Sequence, residues 1–151
     1  MDDNTREVYE ELIALYSTSA LPQGAAKVIS WLTVCEPQEQ TAADIRKATG
    51  VSAGALSEAM TMFVKVGMVT RTRKPGSRKH YYKNTKDNVL QTIRRSVEST
   101  KLYTAAAESG LKKLPNNDRL KAMRDLYGFL DARFTEIIDE FENKLSRKTE
   151  R

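Results

Sequence analysis

The stretch "TAADIRKATGVSAGALSEAMTMFVKVGMVTRTRKPGSRKHYYK", residues 41–83, changes its hydrophobic period once, at Gly67. Before that point the spacing is helical. Thr41 followed three residues later by Asp44 is a capping-box pattern, and Gly50 closes the short amphipathic helix it opens. Ser52 is placed to cap a second helix, along which Leu56, Ala59, Met60, Phe63 and Val64 form one apolar stripe. After Gly67 the pattern alternates: "MVTRTR" and "KHYYK" flank "KPGS", and a Pro-Gly between two such runs predicts a two-stranded β-ribbon. Of Tyr81 and Tyr82, adjacent in a strand, one should face the core and the other lie exposed near phosphate or stack on an arginine.

Charge singles out the same stretch. Residues 59–86 hold eight Lys or Arg (Lys65, Arg71, Arg73, Lys74, Arg78, Lys79, Lys83, Lys86) and no Asp or Glu, which exceeds the net charge of +5 carried by all 151 residues. The rest of the chain is therefore net acidic, and the basicity belongs to one region. Such a local excess is the footprint expected of a surface for nucleic acid, with a membrane surface or an acidic partner as further answers to it and a solvated face as the bland reading.

Elsewhere the chain reads as helix. Val8, Leu12, Ile13 and Tyr16 recur at helical spacing over Thr5–Ser17, and a second helix starting near Pro22 carries Val28, Ile29, Trp31, Leu32 and Cys35 before Pro37. From Thr85 to about Lys113 the period is helical again, with Val89, Ile93 and Val97 on one face, and "LPNND" interrupts it. The last helix, Asp118 to Leu145, spaces Met123, Tyr127, Leu130, Phe134, Ile137 and Phe141 by fours and threes, a coiled-coil seam that needs a partner. That partner is either a second copy or another helix of the same chain. Residues 147–151 read as a flexible tail.

Composition excludes several classes. A charged fraction of 30% beside 40% hydrophobic residues describes a globular protein, and no apolar run is long enough to cross a bilayer. The acidic, amphipathic N-terminus is the wrong order of charge for a secretory signal, so a cytoplasmic location is expected. One cysteine, Cys35, and one histidine, His80, leave no Cys/His set for zinc and no catalytic pair, and no phosphate-cradling glycine loop or nucleophile elbow is present. No cofactor, metal or enzymatic activity is expected. Cys35 reads as a buried, inert thiol and His80 as a solvated residue.

Helix, tight turn, helix and basic hairpin make up a winged helix-turn-helix, in which the second helix enters the major groove of duplex DNA by its N-terminal end. The expected architecture is mainly α with a small β-hairpin: an N-terminal helix over 1–20, the winged core over 21–84, and a helical dimerisation region over 85–146. Base-edge and backbone contacts fall to Ser52, Ala53, Gly54, Ser57, Glu58, Thr61 and Lys65, since these leave the apolar stripe on the opposite side. Glu58 repels phosphate yet could accept from a cytosine amino group. On the wing, Arg71, Arg73 and Lys74 are assigned to phosphates and Arg78 or Lys79 to a minor groove. With about five phosphates neutralised, log affinity should fall with log salt at a slope of roughly −4 to −5. An interaction scaffold of the same fold is the alternative, since fold alone does not fix function.

On "LPQGAAKVISWL", on residues 41–73 and on the wing segment "KPGSRKHYY", residues 20 to 100 resemble the MarR superfamily of winged-helix repressors, and specifically its GbsR-like branch. The resemblance implies contacts from Ser52, Gly54 and Ser57, a wing-tip role for Arg78, and a homodimer of terminal helices reading a pseudo-palindrome. It also implies a response to a small ligand or stress signal. GbsR-like proteins sense quaternary ammonium compounds, which bind in aromatic boxes; Tyr16, Trp31 and Tyr103, with Tyr9 and Tyr127, are the box candidates, against core packing as the plainer reading. One departure is Ser77, at a position often acidic in the family, where an Asp would orient Arg78.

Overall fold

In a computed structural model, the backbone is described for residues 1–149 and the side chains for residues 1–144. Among the described residues, six helices and three short strands follow in the order α1 (Asp3–Ser17), α2 (Gln23–Val34), β1 (Gln40–Thr41), α3 (Ala42–Thr49), α4 (Ala53–Val66), β2 (Thr70–Arg73), β3 (His80–Lys83), α5 (Lys86–Lys113) and α6 (Asp118–Thr149). This is a winged helix-turn-helix with helices on either side in sequence. The chain divides into two units, Met1–Thr92 and the residues from Ile93 onward.

In the first unit, local signals set the helix boundaries. Thr41 Oγ1 accepts from the Asp44 N–H at 3.3 Å while the Asp44 carboxylate accepts from the Thr41 N–H at 2.9 Å, so the capping box satisfies donors that α3 would otherwise leave unpaired. Gly50 ends α3 at φ 69°, a left-handed position that costs a side-chain-bearing residue about 1–2 kcal/mol. Ser52 Oγ accepts from the Ala55 N–H at 3.1 Å and starts α4, and the turn between the helices is only three residues long.

The core sits where α2, α3 and α4 meet. Val28, Ile29, Leu32, Ile45, Phe63 and Val69 are almost wholly buried there, with Leu56, Ala59 and Met60 from the predicted stripe of α4 beside them. Cys35 belongs to this core, and burial pushes its thiol up to about 11, which keeps it protonated and inert as expected. α1 packs on α2 through Tyr9, whose ring meets Trp31 edge-on at 6.4 Å. Here the expected helix face shifts: Tyr9 is buried and Val8 is 45% exposed. The two are one residue apart, about 100° around the helix, and the aromatic ring offers more apolar area to the contact.

The ribbon has a third member that the sequence reading missed. β1 pairs antiparallel with β3 (Gln40 opposite Tyr82, Thr41 opposite Tyr81), and the sheet order is β1-β3-β2. Two residues are too few to show an alternating pattern. Between β2 and β3, the Ser77 N–H donates to the Lys74 carbonyl at 3.0 Å across Pro75 and Gly76, the latter at φ 75°, which is the arrangement of a type II turn. Ser77, at the position where the family often has an acid, instead accepts through Oγ from the Lys79 N–H at 3.1 Å.

Asn88, 8% exposed, joins three elements of this unit. Its Oδ1 accepts from the Thr85 N–H at 3.0 Å at the start of α5, and its Nδ2 donates to the Gly67 carbonyl at 2.9 Å and to Thr70 Oγ1 at 3.0 Å. The end of α4, the start of β2 and the start of α5 thus share one carboxamide.

In the second unit, the remainder of α5 and α6 pair antiparallel. Arg94 bonds Glu142, Thr100 Oγ1 lies 3.4 Å from Asp131 Oδ1, and Tyr103 stacks on Tyr127 at 4.5 Å, so that successive partners run backward along α6. Of the predicted seam, Met123, Tyr127 and Leu130 are half-buried, whereas Phe134, Ile137 and Phe141 are exposed, in company with Leu126 and Phe129. α6 continues to Thr149, through part of the segment expected as a tail, and residues 150–151 of that segment lie outside the described residues.

Candidate nucleic-acid interface

α4 is two-faced. Leu56, Ala59, Met60 and Phe63 anchor it to the core, while Ser52, Ala53, Gly54, Ser57, Glu58, Thr61 and Lys65 are all exposed. Every helix residue assigned to DNA from the sequence therefore lies outside the core. Their roles divide further. The Ser52 hydroxyl is used as the helix cap, and Thr61 Oγ1 donates back to the Ser57 carbonyl at 2.9 Å. Glu58 borders a small depression with Pro22, Gly24 and Met62 beside the start of α2, whereas Ser57, Thr61 and Lys65 line a groove of about 620 Å³ between α3, α4 and β2.

Two basic residues join them in that groove, Arg71 from β2 and Arg46 from α3. Arg46 was not singled out from the sequence, because it precedes the basic stretch and its place on the groove depends on how α3 crosses α4. Its Nε approaches the Val51 carbonyl at 3.5 Å, which ties it to the turn. The floor is apolar, formed by Leu56, Met60, Val64 and Tyr82.

The cross-strand register sorts the wing into two faces. Arg71 lies opposite Tyr82 and Arg73 opposite His80, so these four share one face, and Tyr82 packs against the core. Arg73 Nε donates to His80 Nδ1 at 3.4 Å, and burial together with Arg73 and Arg71 lowers the pKa of the imidazole. The other face carries Thr70, Thr72, Tyr81 and Lys83. There Lys74 Nζ stands 4.3 Å from the Tyr81 ring centroid. Tyr82 takes the core side as expected of one of the pair, but Tyr81 is half-buried rather than exposed, and its ring meets a lysine rather than an arginine, because Lys74 follows β2 directly and has the length to fold back.

Among the described residues, no acid forms a salt bridge with Arg71, Arg73, Arg78 or Lys79, whereas Lys74 and Lys83 both pair with Glu39. Glu39 too was missed, being 35 and 44 residues from its partners in sequence.

The aromatic candidates divide between the units. Tyr9 and Trp31 line a cleft of about 790 Å³ with Glu10, Glu36 and Glu39, and Trp31 Nε1 donates to Gln40 Oε1 at 3.2 Å. Tyr16 is half-buried against the core and Tyr103 stacks on Tyr127 in the second unit; neither lines this cleft. Among the described residues, no group of three His, Cys, Asp or Glu could hold a metal ion, and no helix is long and apolar enough to cross a membrane.

No protein-family model matches the chain. It is similar to the HTH-type transcriptional regulator MmpR5 of Mycobacterium tuberculosis, at 22% identity over 143 residues that span 91% of this chain and 87% of that one. A solved crystal structure of a transcriptional regulator superposes with a TM-score of 0.82 at 21% identity, covering 93% of this chain and 99% of the other. That superposition establishes the winged-helix fold. Both relatives are transcriptional regulators, a class that is not enzymatic.

Proposed function

We propose that the protein is a sequence-specific regulator of transcription, a repressor of the MarR superfamily and its GbsR-like branch, acting in the cytoplasm as a homodimer on a pseudo-palindromic site in duplex DNA. The observation that carries this reading is the coincidence of an exposed polar face on α4 with an adjoining wing whose Arg71, Arg73, Arg78 and Lys79 have no acid in salt-bridge contact among the described residues. A helix so presented fits the major groove, and cations so left meet the phosphates on either side. The exposed apolar side chains Leu126, Phe129, Phe134, Ile137 and Phe141 support self-association through α6.

Selection of bound fragments from random duplex DNA tests the reading, and two half-sites about one helical turn apart would identify the dimer. Within the selected site, Ser57→Ala should change which bases are preferred. Arg78→Ala should instead weaken every sequence alike, by roughly fivefold at 0.15 M salt, the counterion-release contribution of one cation on the duplex. A scaffold with no role in DNA recognition would enrich no sequence at all.

The effector, on this reading, is an organic cation, for which the cleft of Tyr9, Trp31, Glu10 and Glu36 supplies aromatic faces and carboxylates. Trp31 is the one tryptophan of the chain, so its fluorescence reports directly. Tetramethylammonium should change that emission saturably, and Glu36→Gln should weaken the response; a linear change equal to that caused by sodium would exclude the cleft.

A further inference from the structure

Glu39 stands immediately before β1, and its carboxylate spans the two strands of the wing. Oε2 lies 2.9 Å from Lys74 Nζ, just past β2, and Oε1 lies 3.5 Å from Lys83 Nζ at the end of β3. Lys74 is held a second time, over the ring of Tyr81. The side chains are 32% exposed for Glu39, 53% for Lys74 and 32% for Lys83, and pairs so open to solvent add little to stability. Their effect is better sought in the charge that the wing presents. The hydrogen bond and the charge of Lys74 lower the pKa of Glu39, so it is ionised throughout the neutral range.

We propose that Glu39 is a built-in counter-ion that withholds Lys74 and Lys83 from the nucleic-acid backbone, leaving the guanidinium face of the wing to make the contact and holding down affinity for DNA of any sequence. The inference rests on the DNA-binding reading above. Its physical basis is neutralisation. Salt dependence arises because protein cations displace the counterions condensed on the duplex, and an ammonium already matched by a carboxylate displaces few of them. Glu39 and its two lysines together present one net positive charge where the lysines alone would present two. The two faces of the wing then differ in kind: Arg71 and Arg73 on one face have no acidic partner among the described residues, and the lysines on the other are compensated.

The test is binding of one labelled duplex across a salt series, by wild-type protein and by Glu39→Gln, which keeps the shape and removes the charge. With Glu39→Gln the log–log slope should steepen by about 1 to 2, and affinity at 0.15 M salt should rise by roughly 5- to 30-fold, one or two contacts' worth of counterion release. The pair Lys74→Met and Lys83→Met, made in both backgrounds, separates this from a simple loss of repulsion. It should cost about fivefold beside Glu39, where one net positive charge is lost to the duplex, and about 30-fold beside the glutamine, so that the gain disappears. An unchanged slope, weaker binding by Glu39→Gln, or a gain that survives loss of both lysines would each overturn the inference while leaving DNA binding standing. Wild-type protein that binds no duplex at low salt would remove the DNA-binding reading itself, and this inference with it.

Discussion

Cutting Phe63 back to alanine is expected to lower the stability of the first unit by about 3–5 kcal/mol, the usual cost of emptying a buried phenylalanine site. Phe63 is wholly buried, and it belongs to the same core as Val28, Ile29, Leu32, Ile45 and Val69. The exposed face of α4 is where bases would be read, so everything that positions the helix acts through the opposite face. A small domain is stable by only about 5–15 kcal/mol, so one truncation here consumes a large part of the margin. Urea unfolding followed by Trp31 fluorescence would measure it. A loss below about 1 kcal/mol would mean that α4 does not rest on this core. Phe134→Ala is the contrast, since its ring is 40% exposed on α6 and leaves no comparable cavity within one chain.

The second large effect lies on the wing. Changing Arg71 and Arg73 together to glutamine should reduce affinity for duplex DNA roughly 30-fold at 0.15 M salt, since each phosphate contact is worth about a factor of five under that condition. The slope of log affinity against log salt should flatten by about 2 for the same reason. Folding should be nearly unaffected. Both residues are exposed, and the interaction removed within the protein is the hydrogen bond from Arg73 to His80. Without the two guanidinium groups the imidazole also loses two of the causes that lower its pKa, so its titration, read by NMR, should move upward. A drop in affinity without that movement would mean that the arginines act on DNA from somewhere other than the strand face where His80 lies.

The parts of the molecule that were legible from sequence are those whose causes are local. The box of Thr41 and Asp44, the left-handed Gly50, the Ser52 cap and the stripe from Leu56 to Phe63 each act within a few residues, and each forms as its spacing predicts. Their joint order was enough to predict the helix-turn-helix. What escaped depends on distant partners. β1 exists because β3, some forty residues later, offers it an edge, and Glu39 finds Lys74 and Lys83 only once that edge is formed. Arg46 reaches the groove through the crossing of α3 and α4, which no periodicity encodes. The seam of α6 was legible as a stripe but not as a division of labour. Tyr127 is spent on Tyr103, and the apolar surface left over is made of Leu126, Phe129, Phe134, Ile137 and Phe141.

The wing also shows why counting charges is a poor guide to the charge a surface presents. The sequence reading assigns Lys74 to phosphate together with Arg71 and Arg73, all three standing within four residues. The register puts Arg71 and Arg73 on one face, Lys74 folds over Tyr81 of the other, and a carboxylate from outside the basic stretch pairs with the lysine.

The most direct experiment is a salt titration of wild-type protein against a duplex selected for binding. Arg71, Arg73, Arg78 and Lys79 should give a log–log slope of about −4 for each protomer, at roughly 0.9 per phosphate, with tight binding in dilute buffer. A protein that leaves duplex DNA unbound at about 20 mM salt, where such contacts are strongest, or whose binding does not change with salt, is not held to DNA by this wing.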